Sequence, residues 1–113
     1  MIHINADSNG REVSAAVGET LEISLAENRT TGFRWELKSK AETACILVKD
    51  AAEPAKGPPG KGGTHRWQFQ AVRPGTGEIE LEYRRPWERD APPQRTFQIT
   101  VRVEQANSTP PSE

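Results

Sequence analysis

The strongest constraint on this chain is the period of its apolar residues, which recur on alternate positions in segment after segment. Val13, Ala15 and Val17 form one set, and Leu21, Ile23 and Leu25 follow it across Gly18-Glu19. Phe33, Trp35 and Leu37 form a third, with Arg34, Glu36 and Lys38 facing the other way. Later come Trp67, Phe69 and Ala71, then Ile79, Leu81 and Tyr83, then Phe97, Ile99, Val101 and Val103. Alternation of this kind belongs to β-strands with one wet face, and no segment carries a convincing helical period. The run Ile46-Leu47-Val48 is continuous and reads as a short strand buried on both faces or close to a crossover. Turn signals at Asn9-Gly10, Gly18, Thr30-Thr31-Gly32 and Pro74-Gly75-Thr76-Gly77 separate the strands. The fold class that follows is all-β, an immunoglobulin-like antiparallel β-sandwich of about seven to eight strands. A jelly roll or a small barrel is compatible with the same pattern.

The 113 residues suit one core, and the reading is a single domain over 1–104 with a disordered tail over 105–113, QANSTPPSE, which holds no apolar residue beyond one alanine. Fifteen basic and 16 acidic residues leave a net charge of -1, which gives no electrostatic footprint for nucleic acid or an anionic membrane. No run approaches the roughly 20 apolar residues of a membrane-spanning helix. The opening MIHINADSNG lacks the regions of a secretory signal, so the expectation is a cytoplasmic protein or the mature form of an exported one. A monomer is expected. Cys45 is the only cysteine, so no internal disulfide forms and stability rests on the apolar core.

Catalytic readings do poorly. Cys45 borders an apolar run and reads as a small buried residue, and neither His3 nor His65 stands near it in sequence. Two histidines and one cysteine at such separations match no metal-ligand spacing, so neither a metal nor a cofactor is expected. Glu78, Glu80 and Glu82 alternate along one strand as a solvated face. The glycines of Gly60-Lys61-Gly62-Gly63 are followed by no helix, as a phosphate-cradling loop requires. Asn28-Arg29-Thr30 and Asn107-Ser108-Thr109 fit the Asn-x-Thr glycosylation pattern, and a glycan on Asn28 would block contacts made by its loop.

Three segments are not ordinary connectors. In NRTTGFRW, residues 28–35, two threonines precede the glycine where a plain turn needs none. Asp50 to Gly63, DAAEPAKGPPGKGG, is long for a sandwich loop and dense in proline and glycine. In Arg84-Arg85-Pro86-Trp87 a strand pattern meets a proline without a backbone N–H, so the strand ends and Trp87 is carried beyond the core. Trp35 and Trp67, by contrast, fall on core-facing positions. In an immunoglobulin-like sandwich the first and third of these loops lie at one end, and a long middle loop reaches it too. The resulting edge offers hydroxyls, bare glycine backbone, arginine and tryptophan, and Trp and Arg are enriched in interface hot spots.

With these motifs the chain resembles the chagasin family, proteinaceous inhibitors of papain-like (clan CA) cysteine peptidases. The family's Asn-Pro-Thr-Thr-Gly-aromatic motif resembles Asn28-Arg29-Thr30-Thr31-Gly32-Phe33, its Gly-x-Gly-Gly resembles Gly60-Lys61-Gly62-Gly63, and its Arg-Pro-Trp/Phe resembles Arg85-Pro86-Trp87. Each motif alone is common, but all three in order between alternating strands are specific. The resemblance runs roughly from Glu12 to Glu104. Arg29 departs from the family's proline, which removes a fixed φ and adds a cation suited to an acidic cleft rim.

The resemblance implies a reversible, competitive inhibitor whose three loops plug the peptidase cleft. Asn28, Arg29, Thr30, Thr31, Gly32 and Phe33 would lie over the catalytic cysteine, and Gly60, Gly62 and Gly63 would let backbone approach the cleft wall. Trp87, after Pro86, would cover the opposite wall, with Arg85 bonding the peptidase or bracing the neighbouring loop. The alternative from the residues alone is an adhesion or carbohydrate-binding module using the same edge.

Overall fold

The computed structural model describes residues 1–28, 31–53 and 63–105. Eight strands run β1 (Ile2–Ile4), β2 (Glu12–Ala16), β3 (Thr20–Glu27), β4 (Arg34–Lys40), β5 (Cys45–Glu53), β6 (Gly63–Ala71), β7 (Gly75–Arg84) and β8 (Arg95–Glu104). They form two four-stranded sheets, ordered β1-β3-β6-β5 and β2-β8-β7-β4. The residues that alternate in sequence point between the sheets: Leu21, Ile23, Trp67 and Phe69 from the first meet Ile79, Leu81, Ile99 and Val101 from the second. Each such side chain contributes roughly 1.5–3 kcal/mol by leaving water, so this seam sets the register of every strand. Trp35 and Trp67 are both buried in it.

The pairing is antiparallel except at the two N-terminal edge strands, where β1 runs parallel to β3 and β2 parallel to β8. The chain crosses between sheets there through a single 3-10 turn, Ala6–Ser8, capped by the Asn5 side chain. That turn is too short to show as a helical period. Gly10, at φ 81, then feeds β2.

Two local expectations change. Ile46-Leu47-Val48 is not buried on both faces, because the sandwich has two layers only and Ile46 and Val48 point to the uncovered face of the edge strand β5, 46% and 51% exposed. Only Cys45 and Leu47 of that run face inward, and the register slips between Leu47 and Lys49 in a β-bulge. Nor is Pro74-Gly75-Thr76-Gly77 a turn throughout, since Gly75 and Gly77 already pair with Val103 and Val101. Gly77 is required by close approach: a Cβ there would lie 2.8 Å from Ala41 Cα and 2.8 Å from Thr43 Oγ1. The intervening segment 41–44 carries the chain from one sheet to the other.

Candidate functional site

Register brings together the strand ends that flank the three motif segments. In the first sheet Glu27 pairs with Gly63 and Glu53 with Thr64, and in the second Arg34 pairs with Arg84 and Tyr83 with Arg95. The ends of β3, β5 and β7 and the starts of β4, β6 and β8 therefore lie at the same end of the sandwich. Gly63 is the first residue of β6 rather than part of a loop. Arg29, Thr30, Gly60 and Gly62 lie outside the described residues.

The first loop is held by its own polar groups. Asn28 carbonyl oxygen accepts the Thr31 hydroxyl at 2.7 Å and the Thr31 N–H at 3.3 Å, while Thr31 Oγ1 accepts the Phe33 N–H at 3.4 Å. Threonine is suited to this because its hydroxyl both donates and accepts. At its start, Asn28 N–H donates to the Tyr83 hydroxyl at 3.1 Å, tying the loop to the second sheet. At its end, Trp35 donates its indole N–H to Ala26 O at 2.9 Å and its backbone N–H to Glu27 Oε2 at 2.8 Å. Gly32 takes φ 84, a left-handed conformation that costs other residues roughly 1–2 kcal/mol.

The third loop leans on the first. Beyond Arg84 the strand ends at Pro86 as expected, and a turn closes with Glu88 N–H on Arg85 O at 3.0 Å. Arg85 braces the first loop: its Nε donates to Thr31 O at 3.1 Å and its guanidinium lies 4.6 Å from the Phe33 ring centroid. Glu88 holds the far side of that guanidinium at 3.5 Å. Phe33 stacks on Tyr83 at 5.4 Å and Tyr83 meets Trp35 at 4.8 Å. Arg85, Phe33, Tyr83 and Trp35 thus form one column from the loop tip into the core.

Trp87 is 68% exposed, yet its ring packs against Gly32, where a Cβ would come 2.5 Å from Trp87 Cη2 and 3.1 Å from Cζ2. Gly32 is fixed twice over, by φ and by that contact. The result is a stiff ridge of Thr31, Gly32 and Trp87 with hydroxyl, backbone and aromatic surface outward. It offers no nucleophile: Cys45 sits at the far end of β5, paired with Ala71, and burial pushes its thiol up from the ordinary value.

Tyr83 and Glu27 are the supporting residues that motif reasoning missed. Tyr83 was assigned only to the core face, and nothing in its sequence context marks its hydroxyl for Asn28. Glu27 does carry a signal: it continues the inward positions Leu21, Ile23 and Leu25, where a carboxylate needs a partner.

The model of the Chagasin family peptidase inhibitor I42 matches residues 14–101. Amoebiasin-1 of Entamoeba histolytica is 35% identical over 101 residues, which covers 89% of this chain and 98% of that protein. Chagasin of Trypanosoma cruzi is 34% identical over 84 residues, 70% of this chain and 76% of its own. Among solved structures, the cysteine protease inhibitor EhICP2 from Entamoeba histolytica superposes with a TM-score of 0.82 at 22% identity, over 91% of this chain and 95% of that one, a likeness of fold.

Proposed function

The chain belongs to the chagasin family of peptidase inhibitors, and from that premise we propose that it is a reversible, non-covalent, competitive inhibitor of papain-like (clan CA) cysteine peptidases. The observation that carries this reading is the ridge itself, in which Arg85 bonds Thr31 O and the exposed Trp87 rests on Gly32. A cleft that cuts extended peptides admits such a ridge without cutting it. The Thr31-Gly32 backbone is pinned by Asn28, Arg85 and Trp87, so it does not relax to the extended form that would align a carbonyl with the catalytic thiolate.

In this reading the first loop, Asn28 to Phe33, lies over the catalytic cysteine. The second brings Gly60, Gly62 and Gly63 to the cleft wall, where backbone pairs as an added strand. Trp87 supplies apolar and stacking area beside the first loop, and Pro86 turns it outward. Arg85 braces the first loop through Nε and meets Glu88 through Nη1, and its side chain, 37% exposed, keeps further N–H groups to offer the peptidase. Stiffness matters energetically because every side chain ordered before binding removes roughly 0.5–1.5 kcal/mol from the cost of association.

The test is titration of the protein into papain and a cathepsin-L-like enzyme with a small peptide substrate, beside Thr31→Lys. The wild type abolishes activity and the variant binds more weakly by about 2 kcal/mol, as at an interface hot spot. Full activity of every such peptidase at micromolar protein would end this reading.

A further inference from the structure

Beneath the loops lies a buried polar group that the ridge does not use. Glu27 is 3% and His65 6% exposed. His65 Nδ1 lies 3.1 Å from Glu27 Oε2, and its Nε2 is hydrogen-bonded to Asp50 Oδ1. Asp50 reaches this position because of the bulge between Leu47 and Lys49, which reverses the alternation and puts an even-numbered residue on the face of its partner Trp67, at the exposed edge of the sheet. Bulges commonly re-aim one side chain in this way.

Counting protons decides the state of the group. A neutral imidazole has a single N–H, so with both carboxylates ionised one ring nitrogen would present its lone pair to a carboxylate oxygen. Both contacts are satisfied when the ring carries two N–H groups. The ring also stacks on Trp67, 4.0 Å between centroids and 4° from parallel, a setting that favours a cation over an aromatic face. Among the described residues, the charged groups facing His65 are Glu27 from β3 and Asp50 from β5. On the opposite sheet Tyr83 is engaged by Asn28 N–H.

The location gives the group its consequence. Glu27 immediately precedes the first loop, and the same Oε2 that meets His65 accepts the Trp35 N–H just after that loop. His65 follows the second loop by two residues from Gly63, and Asp50 precedes it by three from Glu53. We propose that Glu27, His65 and Asp50 are positioning residues that form a proton-dependent clamp, joining the base of the first loop to both ends of the second when the imidazole is doubly protonated. Loss of that proton releases one contact, loosens Trp35 and weakens inhibition. The effect on inhibition rests on the reading above; the coupling of His65 to the first loop does not.

The experiment uses the full chain with His3→Gln, which leaves His65 the only histidine. Its ring and the Trp35 amide are followed by NMR between about pH 5 and 8, the range in which histidine changes charge. Inhibition constants for this protein and for a further His65→Gln variant are measured at both ends, and their ratio cancels titration of the peptidase. The clamp predicts that the Trp35 amide shift follows the ring, that His65→Gln abolishes this, and that the ratio falls from about tenfold at the acid end towards unity at the other. Asp50→Asn, at a side chain 47% exposed, serves if His65→Gln does not fold, and moves the Trp35 transition to lower pH. A Trp35 amide indifferent to the ring, a ring that keeps one charge state throughout, or a ratio independent of pH overturns the clamp. A Trp35 amide that follows the ring in a protein inhibiting no peptidase upholds the clamp and removes the inhibitor reading.

Discussion

Gly32→Ala separates two roles that one glycine fills. Its φ of 84 would impose a strain of about 1–2 kcal/mol on alanine. Its new Cβ would stand 2.5 Å from the Trp87 ring, against roughly 3.5–4.0 Å for an ordinary carbon contact, so the ring must move by about 1 Å or more. Because Trp87 is 68% exposed, it has room to swing outward and the fold survives. Backbone strain is incurred in free and bound protein alike and appears in urea unfolding as a loss of about 1–2 kcal/mol. Displacement of the ring appears in binding, where losing a tryptophan anchor costs about 2 kcal/mol, or roughly 30-fold in the inhibition constant. The assay is a double-mutant cycle with Trp87→Ala, reading unfolding and inhibition for all four proteins. In the Trp87→Ala background, Gly32→Ala should leave inhibition nearly unchanged while its unfolding cost persists. An equal loss of inhibition in both backgrounds would refute the contact as the cause.

Other consequences follow from the same geometry. Arg85→Lys keeps the charge but gives up the Nε bond to Thr31 O and the planar contact with Phe33; inhibition should weaken about tenfold with little change in the urea midpoint. Gly77→Ala overfills the contact with Ala41 and Thr43 at the far end of β7, so unfolding should cost about 1–3 kcal/mol less denaturant stability while inhibition is retained. Glu22 is held below the ordinary carboxylate value of 4.5, first by the Gln68 amide and then by the Arg66 charge and His3. A depressed folded value means that its stabilisation is present above pH 4.5 and is lost as pH falls through the lower folded value. The gap in urea midpoint between wild type and Glu22→Gln should therefore be full near neutrality and close on the acid side.

Much of the sandwich was legible because one physical rule, burial on one face, wrote the odd positions of β3, β4, β6, β7 and β8. Trp35 and Trp67 sit inside for that reason, and Trp87 sits outside because Pro86 ends the ladder before it. What alternation does not encode is pairing partner and edge. The run Ile46-Leu47-Val48 looks like an inner strand, yet its exposure depends on β5 lying at an edge with nothing packed on its outer face, which the strand's own residues do not specify. Gly75 and Gly77 look like a turn because glycine serves turns and close approach equally. In the site, the threonine-glycine tip and Arg-Pro-Trp were legible as motifs, whereas the column Arg85, Phe33, Tyr83 and Trp35 depends on contacts between residues about 50 apart in the chain. Glu27 and His65 continue the inward positions of β3 and β6, which signals burial but not that they meet; Asp50 carries no signal, because only the bulge puts it on their face.

The central claim, a plug that competes for the cleft without chemistry, is tested most directly by measuring the apparent inhibition constant for papain across a range of substrate concentrations and then recovering the inhibitor. The account predicts that the constant rises linearly with substrate concentration and that the recovered chain is intact. A constant indifferent to substrate, or a chain cleaved at Thr31-Gly32, would contradict it.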